Sequence, residues 1–314
     1  MIRIYTCRNG HDFSLPDHLC WPIASFCPSE PEALPYFCSV TDPEDAEYLL
    51  FPYYLTPMIQ QMGVSATSTL IRCILPDFTH NEHKYLFFNY EDTSKPLGFN
   101  SIIFQISLNR TLHDRNAISY PYPVDDHHNG TEPNFDKLLY QTSFVGYSGS
   151  HPVRQQLADA LSKRTDLQIY VETTPLFHGH LGAEERRDRQ ESYFKILRQS
   201  LTILCPRGAA ENSVRFFETM SFARIPVLIA DNTILPLESL IPYDEFVIRV
   251  PEADVERAGD HIIGWLAARN AEQVRNACLR ARNAWKSWLQ TARLPALVAY
   301  ELEQNQISSR LREY

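Results

Sequence analysis

The stretch that decides the fold runs Leu201-Thr-Ile-Leu-Cys205-Pro206-Arg207-Gly208-Ala-Ala-Glu-Asn212-Ser213-Val-Arg215-Phe-Phe-Glu218-Thr-Met-Ser-Phe-Ala-Arg-Ile-Pro226-Val227-Leu-Ile-Ala-Asp231. It reads as strand, loop, helix, strand. The apolar run over 201–204 is short enough for a buried strand, and Pro206-Arg207-Gly208 punctuate its carboxyl end. Gly208 suits a tight turn or a close backbone approach. Asn212 and Ser213 are good N-cap types for a helix over 213–222. The first turn of such a helix offers free N–H groups and a partial positive charge, which suits a phosphate. Arg215 lies in that turn and adds a forked set of donors. Glu218 follows three residues later on the same helical face, where a carboxylate can accept both hydroxyls of a ribose. On periodicity alone, an Arg215–Glu218 surface pair worth under about 1 kcal/mol explains the two residues equally well. A further strand is predicted over 226–230. Asp231 and Asn232, just past it, can touch a base or a sugar.

The same alternation extends outward. Strands are predicted over 143–146, 166–171 and 246–250, and helices over 153–163 and 193–199. From 255 onward the chain reads as helix, with Trp265, Trp285 and Trp288 as bulky anchors. Gly146 and Tyr147 open a polar loop between the first of these strands and its helix. The charge run over 184–189 reads as a solvated loop or helix face. In the first half, strands are predicted over 2–6, 85–90 and 117–120. Residues 45–54 hold a buried strand that runs into a loop at its proline. Residues 14–44 read as loops with short elements. The strands are continuous apolar runs, which points to parallel sheets covered on both faces. Strands alternating with helices imply βαβ units and doubly wound, Rossmann-like α/β domains. A length of 314 residues suits two of them. Asp125-Asp126-His127-His128-Asn129-Gly130 is polar and turn-rich, and reads as a solvated linker, with a metal site as the alternative. The boundary is set near residue 138, giving domains 1–138 and 139–314. Ligands of open α/β sheets bind outside the carboxyl ends of the strands.

Here the chain resembles a known family. The segment from Cys205 to Pro236 is similar to the exostosin family, family 47 of the glycosyltransferases. The shared pattern is Pro206, Arg207 and Gly208, then Ser213, Arg215, Phe216 and Glu218, then Pro226, Val227, Leu235 and Pro236, matched without a gap. Weaker matches lie at 46–54, at 83–90 with 119–123, and at Phe144, Gly146 and Arg154. One departure is Tyr147-Ser148, where the family often has Lys or Arg just after the glycine. The family's N-terminal membrane anchor and second transferase domain are also missing, so the resemblance is to a compact bacterial or viral version.

The resemblance implies a GT-B fold with two Rossmann-like domains facing a cleft. The first domain would bind the acceptor and the second the donor. It implies an inverting transfer from a UDP-sugar to a saccharide or glycoconjugate in polysaccharide biosynthesis. It implies no cofactor and no metal for chemistry, the leaving diphosphate being stabilised by helix N-termini and arginines. On this footing Arg207, Ser213 and Arg215 are expected near the diphosphate and Glu218 near the ribose. Gly208, Asn212, Gly146, Tyr147 and Asp231 complete the expected donor site. Inversion also needs a general base within hydrogen-bond reach of the acceptor hydroxyl. The family match assigns none. Glu91 and Asp92 follow the clearest strand of the first half and rank first. His11-Asp12, with Asp12 as the base, and Asp125-Asp126 are alternatives. The competing reading is a catalytically silent GT-B-like binding or scaffold protein. Phe216, Pro226, Val227 and Pro236 would survive in that case as packing residues, whereas Arg215 and Glu218 would not both be required.

Composition sets the outer limits. Hydrophobic residues make up 44% and charged residues 21%, enough for real cores without staples. The net charge of −9 argues against a nucleic-acid partner, which needs a basic footprint. Seven cysteines at irregular spacing, without a CxxC pair, read as free thiols in a reducing compartment. The first residues lack a signal-peptide pattern and no run reaches the ~18 apolar residues of a membrane span. The expectation is a cytoplasmic protein, with peripheral membrane association left open.

Overall fold

The computed structural model describes residues 1–7, 33, 35–75, 77–92, 95–127, 133–135, 138–174 and 182–310, with side chains to 305. Two compact units emerge. The first comprises Met1–Pro121, Ile234–Leu237 and Trp288–Tyr314, and the second Tyr122–Thr233 and Glu238–Ser287.

The first unit carries strands β1 (Ile2–Thr6), β2 (Phe37–Ser39), β3 (Tyr48–Tyr54), β4 (Tyr85–Asn89), β5 (Ile102–Gln105) and β6 (Ala117–Ser119). They form one sheet in the order β2-β1-β3-β4-β5-β6, parallel throughout. Every residue of β4 and β5 is buried, as a parallel sheet covered on both faces requires. The expected loop after β3 is instead helix α1 (Leu55–Ile74). Pro52 does not stop the strand. The β3–β4 register shifts between Leu50 and Tyr54, so the missing N–H of Pro52 falls where the ladder is already irregular. Gly63 breaks α1 with φ 81°, which a residue without Cβ adopts freely. The strand β5 was not expected from the sequence.

Among the described residues the β4–β5 and β5–β6 crossovers contain no helix. Aromatic side chains cover the sheet instead. The Phe99 ring packs 5.3 Å from that of Phe78 and 5.4 Å from that of Phe87. The backbone behind it is satisfied by the buried Asp114, whose carboxylate accepts from Leu97 N at 2.7 Å and Gly98 N at 2.8 Å.

The second unit runs β7 (Tyr140–Tyr147), α2 (Pro152–Leu161), β8 (Ile169–Thr174), α3 (Ala183–Gln199), β9 (Ser200–Pro206), α4 (Val214–Ser221), β10 (Ile225–Ile229), β11 (Ile248–Val250), α5 (Ala258–Ala267) and α6 (Ala271–Ala284). Its sheet is also parallel, in the order β11-β10-β9-β7-β8. The α/β class and two doubly wound parallel units are therefore as the sequence predicts. The charge run over 184–189 lies on the exposed start of α3. The predicted strand over 166–171 lies later, at β8.

The compact units divide at Pro121 and Tyr122 rather than near residue 138. The supposed linker is tied to the second unit. Asp126 pairs with Arg282 at 2.7 Å, and the His127 ring packs 4.2 Å from that of Phe194. Neither residue is placed as a solvated linker would place it, and His128 lies outside the described residues. The chain beyond 255 is not one helix. After α6, capped by Asn270 and Gln273 acting reciprocally, a π-helical turn spans Trp285–Leu289. Helix α7 (Leu294–Arg310) then returns to the first unit. No described helix is long and apolar enough to cross a membrane.

Candidate functional site

In the second sheet the strand order turns back between β7 and β9. The chain leaves β7 toward β8 on one side and leaves β9 toward β10 on the other. Such a switch point opens a crevice at the carboxyl ends of the two strands. Gly146 and Tyr147 stand at the end of β7, and Pro206, Arg207 and Gly208 at the end of β9. The sequence-predicted donor residues of these two loops are thus brought together.

Arg154, in the first turn of α2, binds both loops. Its Nη1 donates to the Tyr147 carbonyl at 3.0 Å, its Nε to the Arg207 carbonyl at 2.9 Å and its Nη2 to the Pro206 carbonyl at 3.3 Å. A Cβ on Gly208 would stand 2.9 Å from Nη2 and 3.1 Å from Ser150 Oγ. The absence of a Cβ at Gly208 thus leaves room for this guanidinium to reach the loop. Tyr147 folds its phenol back over Gly149, where a Cβ would be 2.6 Å from the ring carbon that carries the hydroxyl.

Arg215 is 8% exposed and reaches from α4 to the end of β7. Its Nη2 donates to the Val145 carbonyl at 2.5 Å, and its guanidinium lies 5.1 Å from the Phe144 ring centre. Nε and Nη1 are buried without a hydrogen-bond partner. A buried cation with two orphaned donors is costly unless an anion completes it. Gly146 makes room for it, since a Cβ there would collide with Nη2.

Glu218 is half-buried, and its Oε2 accepts from the Tyr193 hydroxyl at 2.7 Å. Burial holds its pKa above the usual carboxylate range, against the opposing pull of the Tyr193 hydrogen bond and the Arg215 charge. The same surroundings push the Tyr193 phenol well up. No Arg215–Glu218 ion pair within 4.0 Å is present, so the simple surface pair does not account for these residues.

Other predicted donor residues have structural partners. Arg207 Nη1 pairs with Glu211 at 2.9 Å and lies 3.6 Å from Glu252. Asp231 Oδ1 accepts from Glu252 N at 2.9 Å, and Asp231 N donates to Glu252 Oε1 at 3.1 Å. These contacts lace the ends of β9, β10 and β11 together. Asn212 and Ser213 are buried at the start of α4; Ser213 has N-cap backbone geometry but makes no side-chain capping bond.

The base candidates belong to the first unit. Glu91 follows β4, its N–H donating to Asn89 Oδ1 at 3.1 Å. Its Oε2 is buried without a partner, and burial raises its pKa. At the ends of the neighbouring strands the Tyr54, Tyr90 and Tyr120 rings pack on one another, with centroids 4.4 Å apart for Tyr54–Tyr90 and 5.9 Å for Tyr90–Tyr120. Asp92 is exposed. His11 and Asp12 lie outside the described residues.

Tyr193 and Ser150 are not among the residues that the sequence marks for the site, and Arg154 enters there only through the family resemblance. The Tyr193–Glu218 contact spans 25 residues and leaves no mark on local periodicity. A separate groove of about 540 Å³ runs along β11 and α5, lined by Arg249, Arg257, Trp265 and Arg269 among others, and contains none of the predicted donor residues. Among the described residues no group of three His, Cys, Asp or Glu side chains is placed to hold a metal ion.

Residues 100–263 match the Exostosin GT47 domain model. The chain is 42% identical over 98 residues to a probable glucuronosyltransferase of Oryza sativa subsp. japonica, covering 31% of this chain and 21% of that protein. It is 28% identical over 178 residues to a probable glucuronoxylan glucuronosyltransferase of Arabidopsis thaliana, covering 54% of this chain and 38% of that one. The matched stretches thus span well under two thirds of either plant protein. A glycosyltransferase from Rickettsia africae is 10% identical with a TM-score of 0.45, covering 98% of this chain and 97% of that one.

Proposed function

The chain belongs to the exostosin GT47 family, and we propose that it is an inverting glycosyltransferase of GT-B type that moves a sugar from a UDP-sugar to a saccharide or glycoconjugate acceptor in polysaccharide synthesis. The observation that carries this reading is the buried Arg215, with Nε and Nη1 unpartnered at the switch-point crevice of the second unit. A diphosphate supplies the anion those donors lack. Charge builds on it as the glycosidic bond to the leaving UDP breaks, and a preorganised guanidinium then stabilises the transition state more than the ground state. Arg215 and the start of α4 take the electrostatic role that a metal plays elsewhere. Glu218, held in place by Tyr193, receives the ribose hydroxyls.

On the acceptor side Glu91 acts as base. The acceptor oxygen attacks the anomeric carbon, its proton passes to the Glu91 carboxylate, and UDP departs from the opposite face. Burial raises the Glu91 pKa toward the operating range of a general base. The reading includes a reducing compartment such as the cytoplasm, which suits the free thiols of Cys205 and Cys278.

A panel of nucleotide sugars, assayed by calorimetric binding and by donor hydrolysis, tests the reading. UDP-sugars should bind, the Arg215→Ala plus Glu218→Ala variant should lose that binding, and Glu91→Gln should lose turnover while keeping UDP affinity. Activity should persist in chelator. The reading falls if no UDP-sugar binds and the double variant behaves as wild type, and the metal-free part falls if chelation abolishes activity and manganese restores it.

A further inference from the structure

The resemblance left one loop without an explanation. The family often places Lys or Arg after the glycine that ends β7, and this chain has Tyr147-Ser148 there. The cation that serves this loop sits on α2 instead and touches backbone.

Arg154 draws three carbonyls toward itself, those of Tyr147, Pro206 and Arg207. All peptide bonds here are trans. In a trans peptide the C=O of one residue and the N–H of the next point in opposite directions. The three amide groups that follow, of Ser148, Arg207 and Gly208, are therefore turned away from Arg154. The middle one shows the rule at work, since Arg207 N donates to the Ile229 carbonyl at 3.0 Å, back into the sheet. The outer two, Ser148 N and Gly208 N, have no backbone acceptor among the described residues. They come from opposite sides of the switch point, one after β7 and one after β9. Ser150 Oγ, packed beside Gly208, is also buried without a partner. Together with the orphaned Nε and Nη1 of Arg215, the crevice thus gathers donors from both strand ends.

We propose that Arg154 is a positioning residue that fixes the two strand-end loops so that the N–H groups of Ser148 and Gly208 bind the diphosphate of the donor. The backbone then supplies what a cation after Gly146 would otherwise give, and converging N–H groups bind anions without a mobile side chain. Arg154 does this through its fork. A guanidinium offers donors in three fixed directions, matching three carbonyls on two loops, whereas an ammonium cannot hold all three in register. The position of Gly208 follows as well, because any Cβ there would push this fork aside.

This inference rests on the UDP-sugar reading, and two probes separate the two. UDP and uridine are titrated into the full-length wild type, Arg154→Lys, Arg154→Gln and Gly208→Ala. UDP affinity should fall roughly tenfold or more in each variant while uridine affinity stays within about twofold of wild type, because only the diphosphate meets the loops. The loss in the Arg154→Lys plus Gly208→Ala double variant should not exceed that of the worse single variant, since both act on one contact. In ¹⁵N-labelled wild type, UDP should shift the Ser148 and Gly208 amide signals strongly and uridine should not. If wild type binds neither UDP nor any UDP-sugar, the proposed function itself fails. If wild type binds UDP but the variants bind it equally well, or lose uridine and UDP alike, the positioning role is overturned. Should the variants not fold, the two amide signals in wild type decide, and their indifference to UDP overturns the proposal.

Discussion

The second unit packs α2, α3, α4 and α6 against its strands, whereas the first covers the β4–β6 side of its sheet with loops. The second meets its buried polar groups with arginines. Arg154 and Arg224 each give their donors to backbone carbonyls, and Arg224 binds those of Leu197, Ala223, Asn134 and Arg198 at 3.3, 3.1, 3.0 and 2.7 Å. The first meets the opposite need with a carboxylate, Asp114 accepting from backbone N–H groups. The difference is one of local regularity. Helical crossovers satisfy their own backbone, so the second unit's arginines serve carbonyls at the strand ends, Arg154 at the carboxyl ends and Arg224 at the amino ends. Loop crossovers cannot, and the first unit must commit a buried carboxylate to hold its covering layer in place.

The largest test of this contrast is Asp114→Ala. It orphans the N–H groups of Leu97 and Gly98 and should cost about 2–5 kcal/mol. Urea denaturation followed by the Tyr and Trp signal measures it, and UDP affinity of the still-folded protein should not change. A matching loss of UDP affinity would show that the two units share their stability. Next is Gly146→Ala, whose Cβ forces Arg215 away from the Val145 carbonyl. Calorimetry should show UDP affinity about tenfold weaker or more, and stability should fall as well, because the backbone at 146 has φ 156°, which an alanine adopts only under strain.

A smaller effect concerns pH. Glu301, on α7 in the first unit, has its pKa raised by burial to about 7. Its folded pKa lies above its unfolded one, so its contribution is fully present below the unfolded pKa, near pH 4, and is lost as pH rises through about 7. Glu301→Gln removes that loss. Its melting temperature should exceed wild type by about 3 °C at pH 8 and equal it at pH 4. The smallest is Asp231→Asn, which loosens the exposed clasp to Glu252 and should cost under about 1 kcal/mol by thermal melting. A large effect there would mean that the lacing of β10 to β11 matters more than its exposure suggests.

The same contrast explains what could be read from the sequence. The strand, helix and strand predicted over 201–204, 213–222 and 226–230 lie at Ser200–Pro206, Val214–Ser221 and Ile225–Ile229. Each is marked by an apolar run, a cap residue or a glycine within a few positions. Helix α1 left no such mark, because Pro52 read as a stop and the Thr, Ser and Gly63 of 55–74 blur its period. Strand β5 is only four residues long and lies between irregular crossovers. The roles within the site divide the same way. The motif places Arg215 and Gly208 at the strand-end crevice, where the structure also has them. That Arg154 binds carbonyls up to 53 residues away is a fact of tertiary contact that no local pattern carries.

The return of α7 to the first unit bears on the order in which the protein is made. Leu297, Val298 and Leu302 are fully buried there. On a ribosome the strands β1–β6 emerge first, yet their unit is completed last, after the whole second unit has been translated. The roughly 180 residues between Pro121 and Leu302 take about 10–35 s at 5–20 residues per second. Throughout that interval an aromatic-rich parallel sheet waits without its final helix, which makes the nascent first unit the natural client of a holding chaperone and the second unit the first to fold.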